Sequence, residues 1–167
     1  MRIGVPKETT AGERRVPLVP ESGKKLIQAG YQVSIEAGAG TAAGFPDAAY
    51  QEAGITLESS PSAVLASDLV LKVNAPEPSE VAAMKPGGIC IGSLMPLRNI
   101  ESIRALAARR VTAFSTDAIP RTTRAQAMDT LSSMANIAGY KGALLAASTL
   151  NKYFPMLMTA AGMVPPA

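Results

Sequence analysis

The stretch DLVLKVNAPEPSEVAAMKPGGICIGSL, residues 68–94, decides the fold. DLVLKV (68–73) and GICIGSL (88–94) are apolar runs of strand length. Between them NAPEP carries two prolines and reads as a loop, and SEVAAM reads as a short helix. The same alternation extends outward in both directions. RIGV (2–5) is a first strand ended by Pro6, and residues 7–20 are a charged loop with Gly12 and two prolines. Residues 20–30 read as a helix, with Pro20 near its start and Gly30 just past its end. YQVSIEA (31–37) alternates, is rich in β-branched residues and is a second strand. A loop GAGTAAGFPD follows, then a short helix over 46–53 and one helical turn after residues 59–61. Residues 100–109 are helical and VTAFS (111–115) is a fifth strand. Short apolar strands alternating with helices imply an α/β fold, a parallel five-stranded sheet with helices on both faces.

A length of 167 residues suits one domain with a sizeable core. Only 4% of residues are aromatic, against 47% hydrophobic, so aliphatic side chains must fill that core. The net charge is +3 and the basic pairs Arg14-Arg15, Lys24-Lys25 and Arg109-Arg110 are scattered, which argues against a nucleic-acid surface. The one cysteine, Cys90, lies inside an apolar run and reads as a buried thiol of a reducing compartment. No signal peptide is visible, and no run of about 18 apolar residues exists to span a bilayer. There is no histidine, which excludes His-based triads, His metal sites and a His general base.

The stretch PRTTRAQAMDTLSSMANIAGY (120–140) carries the densest polar chemistry. Thr123 followed by Gln126 fits a capping box, and a helix is expected from there to about Asn151. Gln126, Asp129, Ser132 or Ser133, Asn136 and Tyr140 fall at steps of three and four, on one helix face. A solvated face is the usual meaning of such a stripe. Here it is built of short hydrogen-bonding groups, and Asp129 is the only charge between Arg124 and Lys141. Gly139, Gly142 and many alanines suit something that packs close to the backbone.

RTTRAQAMDTLSSMANIAGY (121–140) resembles the signature of the alpha subunits of proton-translocating NAD(P) transhydrogenases. RIGVPKETTAGERRVPLVPESGKKL (2–26) and DLVLKVNAPEPSEVAAMKPG (68–87) are similar to that family and to its relative, alanine dehydrogenase. The resemblance implies a Rossmann-like lobe with a flavodoxin-like order of five strands over residues 1–122. It also implies that residues 123–167 are a long crossing helix and tail leading to a dinucleotide-binding domain outside this chain. The implied chemistry is direct hydride transfer from NADH to NADP⁺, coupled to proton translocation by partner subunits. NAD(H) would be held here and NADP(H) on a partner subunit, with no metal. The implied partners are the membrane and NADP(H)-binding subunits and a second copy of the chain, at the cytoplasmic face of the membrane. Arg121, Gln126, Asp129 and Ser132 match residues that line the nicotinamide, with Gln126 and Asp129 in the catalytic role. An amide suits a carboxamide partner because it both donates and accepts.

Other residues point less far. Gly38, Gly40 and Ala43 after the second strand, with Glu58 further on, fit a G-x-G-x-x-A pattern. Gly44, Phe45 and Pro46 separate that pattern from its helix, so a structural loop is the better reading. Arg15 and Lys72 match residues that hold pyruvate in alanine dehydrogenase. Pairing with Glu13, Glu8 or Glu77 explains them equally well. That enzyme's catalytic histidine falls near Met95, in LMPL, so the resemblance implies that amino-acid chemistry is missing. An alanine-dehydrogenase-like oxidoreductase and a non-catalytic lobe that dimerises or binds a partner are the alternatives.

Overall fold

The computed structural model describes residues 1–166. The strands of the main sheet are β1 (Arg2–Val5), β2 (Gln32–Glu36), β3 (Thr56–Glu58), β4 (Leu69–Asn74), β5 (Ile89–Ser93) and β6 (Thr112–Ser115). The helices between them are α1 (Pro20–Gln28), α2 (Asp47–Glu52), α3 (Pro61–Leu65), α4 (Pro78–Ala83) and α5 (Ile100–Ala108). All pairings in this sheet are parallel and the order is β3-β2-β1-β4-β5-β6. The five anticipated strands therefore lie in the flavodoxin-like order. The sixth, β3, is an addition at the edge. TLE has one apolar residue and no alternation to read; backbone pairing of Ser34 with Thr56 and Ile35 with Leu57 makes it a strand.

Alternate side chains of the strands point to opposite faces. On one face Ile3, Val5, Val33 and Ile35 form a core with Leu18, Tyr50 of α2 and Ile55, and Leu69 and Leu71 pack against it. On the other, Val70 and Cys90 join Leu65 of α3, Val81 of α4, Met84, Leu106 of α5 and Val111. Burial pushes the Cys90 thiol up to about 12, so it stays protonated as a core side chain. α1 begins as anticipated, with Pro20 in its first turn, and Gly30 past its end takes φ +87°.

α3 crosses β1 with no room to spare. A Cβ on Gly4 would collide with the Val64 carbonyl oxygen and lie 2.6 Å from Ser67 Oγ. The first obstacle is backbone and cannot swing away. Gly4→Ala should therefore destabilise the fold by about 1–3 kcal/mol, as overpacking does. Urea unfolding checks it, and an unchanged midpoint would mean that α3 yields freely.

The chain divides into two compact units, Met1–Met128 and Asp129–Ala167. The second holds α6 (Thr130–Thr149) and an antiparallel hairpin of β7 (Leu157–Thr159) and β8 (Gly162–Val164). Every residue of α6 is exposed and only Lys141 in it is charged. Two expectations are corrected here. The long helix does not begin with a Thr123–Gln126 capping box. Residues Thr123–Met128 form a 3₁₀ helix, and α6 starts after Asp129, whose side chain accepts the Ser132 N–H at 2.9 Å. Aspartate is among the strongest N-caps, so the start falls on it. The segment expected to be a plain tail contains the hairpin, with Gly162 at φ +134° as the first residue of β8, just past the turn.

Candidate functional site

The strand order reverses between β1 and β4. In open parallel sheets, ligands bind in the crevice at the carboxyl ends of the strands at that reversal. Here the crevice holds a charged cluster. β4 bulges between Leu71 and Asn74, which takes the Val73 N–H out of the ladder. Glu8, three residues beyond β1, accepts that N–H at 2.6 Å and the Asn74 N–H at 3.3 Å. Gly92 of β5 backs the bulge, for a Cβ there would lie 2.9 Å from the Lys72 carbonyl oxygen. The Lys72 side chain, 1% exposed, places Nζ 2.5 Å from Glu80 Oε1 and 4.0 Å from Glu8 Oε2. Glu80 uses its other oxygen to accept the Glu77 N–H at the start of α4. Arg15 pairs with Glu13 at 2.6 Å, and Asn74 Nδ2 donates to the same carboxylate at 3.0 Å.

The pairing partners of Lys72 are thus Glu80 and Glu8 rather than Glu77, because Glu80 lies one helical turn into α4 and faces the strand. The hydrogen bonds from the Arg15 guanidinium hold the Glu13 carboxyl down to about 2, with Asn74 adding to the effect and burial opposing it. The same pair raises Arg15. A carboxyl lowered in the folded state stabilises it above the ordinary carboxyl value of 4.5. That contribution is lost as pH falls from 4.5 towards about 2. Glu13→Gln should therefore flatten the acid side of a stability-against-pH curve in that window. The effect is small because Arg15 is half exposed. A variant whose acid limb keeps its wild-type slope would refute the pairing.

A second knot ties the ends of β5 and β6. Asp117, in a 3₁₀ turn Thr116–Ala118, accepts from Ser115 Oγ at 2.5 Å, from the Met95 N–H at 3.2 Å and from Ser93 Oγ at 3.3 Å. Burial alone would raise this carboxyl, but these hydrogen bonds together hold it below the usual range. Met95 is left in the left-handed region at φ +43°, with 41% of its surface exposed. Neither Asp117 nor the glutamates of the first knot carry a motif; the signal available in sequence was their position just after apolar strands.

The nicotinamide candidates lie beyond β6. Arg121 and Gln126 are exposed in the first unit, Arg121 ahead of the 3₁₀ helix and Gln126 within it. The Gln126 amide makes no hydrogen bond to the described residues. Asp129 and Ser132 are brought together in the second unit: Asp129 Oδ2 accepts the Ser132 hydroxyl at 2.6 Å while Oδ1 accepts its N–H. The loop of Gly38 and Gly40 is structural. Asp47 Oδ1 already takes the Gly38 N–H at 2.8 Å, and Gly40 is pressed against the Tyr50 ring. Among the described residues no group of three or more His, Cys, Asp or Glu is placed to hold a metal ion.

A parallel sheet with a charged crevice at its order reversal defines a doubly wound α/β lobe of the ligand-binding kind. The chain belongs to the alanine dehydrogenase/PNT N-terminal domain family, whose model matches residues 4–138. It is 41% identical over 167 residues to NAD(P) transhydrogenase subunit alpha of Haemophilus influenzae, covering all of this chain and 32% of that one. The crystal structure of transhydrogenase from Sinorhizobium meliloti superposes with a TM-score of 0.91 at 40% identity, over all of this chain and 50% of that one. Alanine dehydrogenase of Bacillus subtilis is 33% identical over 152 residues, 91% of this chain and 39% of that one. The chain thus spans between about a third and a half of the length of these relatives.

Proposed function

We propose that this chain is the N-terminal lobe of the NAD(H)-binding alpha component of a proton-translocating NAD(P) transhydrogenase. The observation that carries the reading is the match of the whole chain, at 41% identity, to a transhydrogenase alpha subunit. In the reaction, the C4–H bond of NADH breaks and its electron pair forms the new C4–H bond on NADP⁺ held by a partner subunit. No proton is exchanged in that step, so a lobe without histidine suffices. What the protein must supply is two rings at contact distance in fixed orientation.

Gln126 holds the nicotinamide carboxamide with its unspent amide, and Arg121 and the Asp129–Ser132 pair line the same end of the cofactor. The Asp129–Ser132 bonds support this by fixing both side chains before any ligand arrives. Proton translocation belongs to the membrane subunits of the assembly. The component works as a homodimer beside those subunits on the cytoplasmic side, and the apolar side chains exposed along α6, from Leu131 to Leu145, support a covered surface there. The test is Gln126→Ala in the assembled transhydrogenase, read by single-turnover hydride transfer.

A further inference from the structure

The turn after β5 is held far more firmly than a surface turn requires. Its Leu94 N–H donates to Ser115 Oγ at 3.2 Å, and Asn99 Nδ2 donates to the Leu94 carbonyl at 2.8 Å. The Met95 N–H goes to Asp117, and the Met95 carbonyl accepts from both Arg98 and Asn99. All of this keeps one non-glycine residue at positive φ with an apolar side chain in solvent. Neither feature helps folding. A methionine has no local hydrogen bond to offset the left-handed conformation, as asparagine or aspartate has. Strain maintained in this way clusters at ligand sites.

The turn is tied to the stretch of chain that leads into Arg121. Asp117, which grips Met95, lies four residues before Arg121, and four residues span at most about 14 Å. We propose that Met95 forms an apolar wall against one face of the nicotinamide ring, with Asp117 as the positioning residue that holds it there; this rests on the nicotinamide reading above. A ring that gives up hydride from one face needs its other face backed. An unbranched, polarizable thioether packs well against an aromatic surface.

The experiment is Met95→Gly in the assembled transhydrogenase, beside Gln126→Ala. Glycine takes φ +43° without strain, so the melting temperature should stay or rise. Hydride transfer should slow by about tenfold or more, because reacting atoms lose their placement. NADH affinity should change by less than about threefold, since only the ring loosens. Met95→Leu should restore most of the lost rate, and Asp117→Asn, which keeps an acceptor oxygen, should transfer faster than Asp117→Ala. Normal transfer in Met95→Gly beside slow transfer in Gln126→Ala overturns this inference alone. Normal transfer in both overturns the nicotinamide reading with it. Slow transfer with a lowered melt makes Met95 a structural residue and also overturns the proposal.

Discussion

Replacing Lys72 with methionine should destabilise the first unit by about 3–5 kcal/mol, the usual cost of removing one partner of a buried ion pair. The Lys72 ammonium is 1% exposed and is the cation that faces Glu80 and Glu8, themselves 13% and 4% exposed. Methionine has nearly the same length and fills the space, so little of the loss would come from a cavity. The loss comes from two carboxylates turned towards a thioether. Glu8 keeps its backbone N–H donors and Glu80 keeps the Glu77 N–H, so neither is stripped completely. A second substitution separates charge from packing. Lys72→Met combined with Glu80→Gln should recover part of the stability, because the neutral amide is cheaper to bury. Urea unfolding of the two variants measures both terms. A single variant as stable as the wild type would show that the cluster is hydrated and contributes nothing.

Gln126→Ala should slow hydride transfer on the order of 100-fold in the assembled enzyme, while NADH affinity changes little. Contacts to the rest of a dinucleotide survive the substitution, and only the carboxamide end comes loose. A helix-cap role for Gln126 would have made it a stability residue. That role belongs to Asp129, whose carboxylate meets Ser132 at the start of α6. The Gln126 amide is exposed and unspent, so truncating it should leave the melting temperature within error. Single-turnover mixing and thermal melting of one variant decide the matter. A lowered melt with normal transfer would return Gln126 to ordinary structure.

Five strands and the helices between them were legible because each is either an apolar run or a 3.6-residue pattern bounded by Gly or Pro. β3 was not, because three residues with one apolar side chain hold their place only through backbone bonds to β2. The start of α6 was misplaced for a related reason: Thr123 and Gln126 have the spacing of a capping box, but the choice between two plausible caps depends on the turn geometry before them. At the strand ends, Arg15 and Lys72 stood out, with Glu13 and Glu8 among their candidate partners, whereas Glu80 and Asn74 did not. Their role follows from a bulge in β4, and a bulge leaves no mark in the sequence except the glycine opposite it, Gly92. Asp117 and the backbone of Met95 were hidden in the same way, since a positive φ on methionine is imposed by its surroundings.

α6 has twenty residues, a firm amino-terminal cap and no buried side chain. It thus lacks the packing of a buried face that gives most protein helices their stability. Its amide protons should therefore trade with solvent deuterium through local fraying, while those of β1, β4 and β5 wait for the whole sheet to open. Anything that comes to lie along α6 would lengthen those exchange times before it altered a single strand. Part of its binding free energy would go into holding the helix wound, which lowers the cost for whatever binds next. In that sense α6 registers assembly as order, a signal carried by amplitude of motion with the shape of the lobe unchanged.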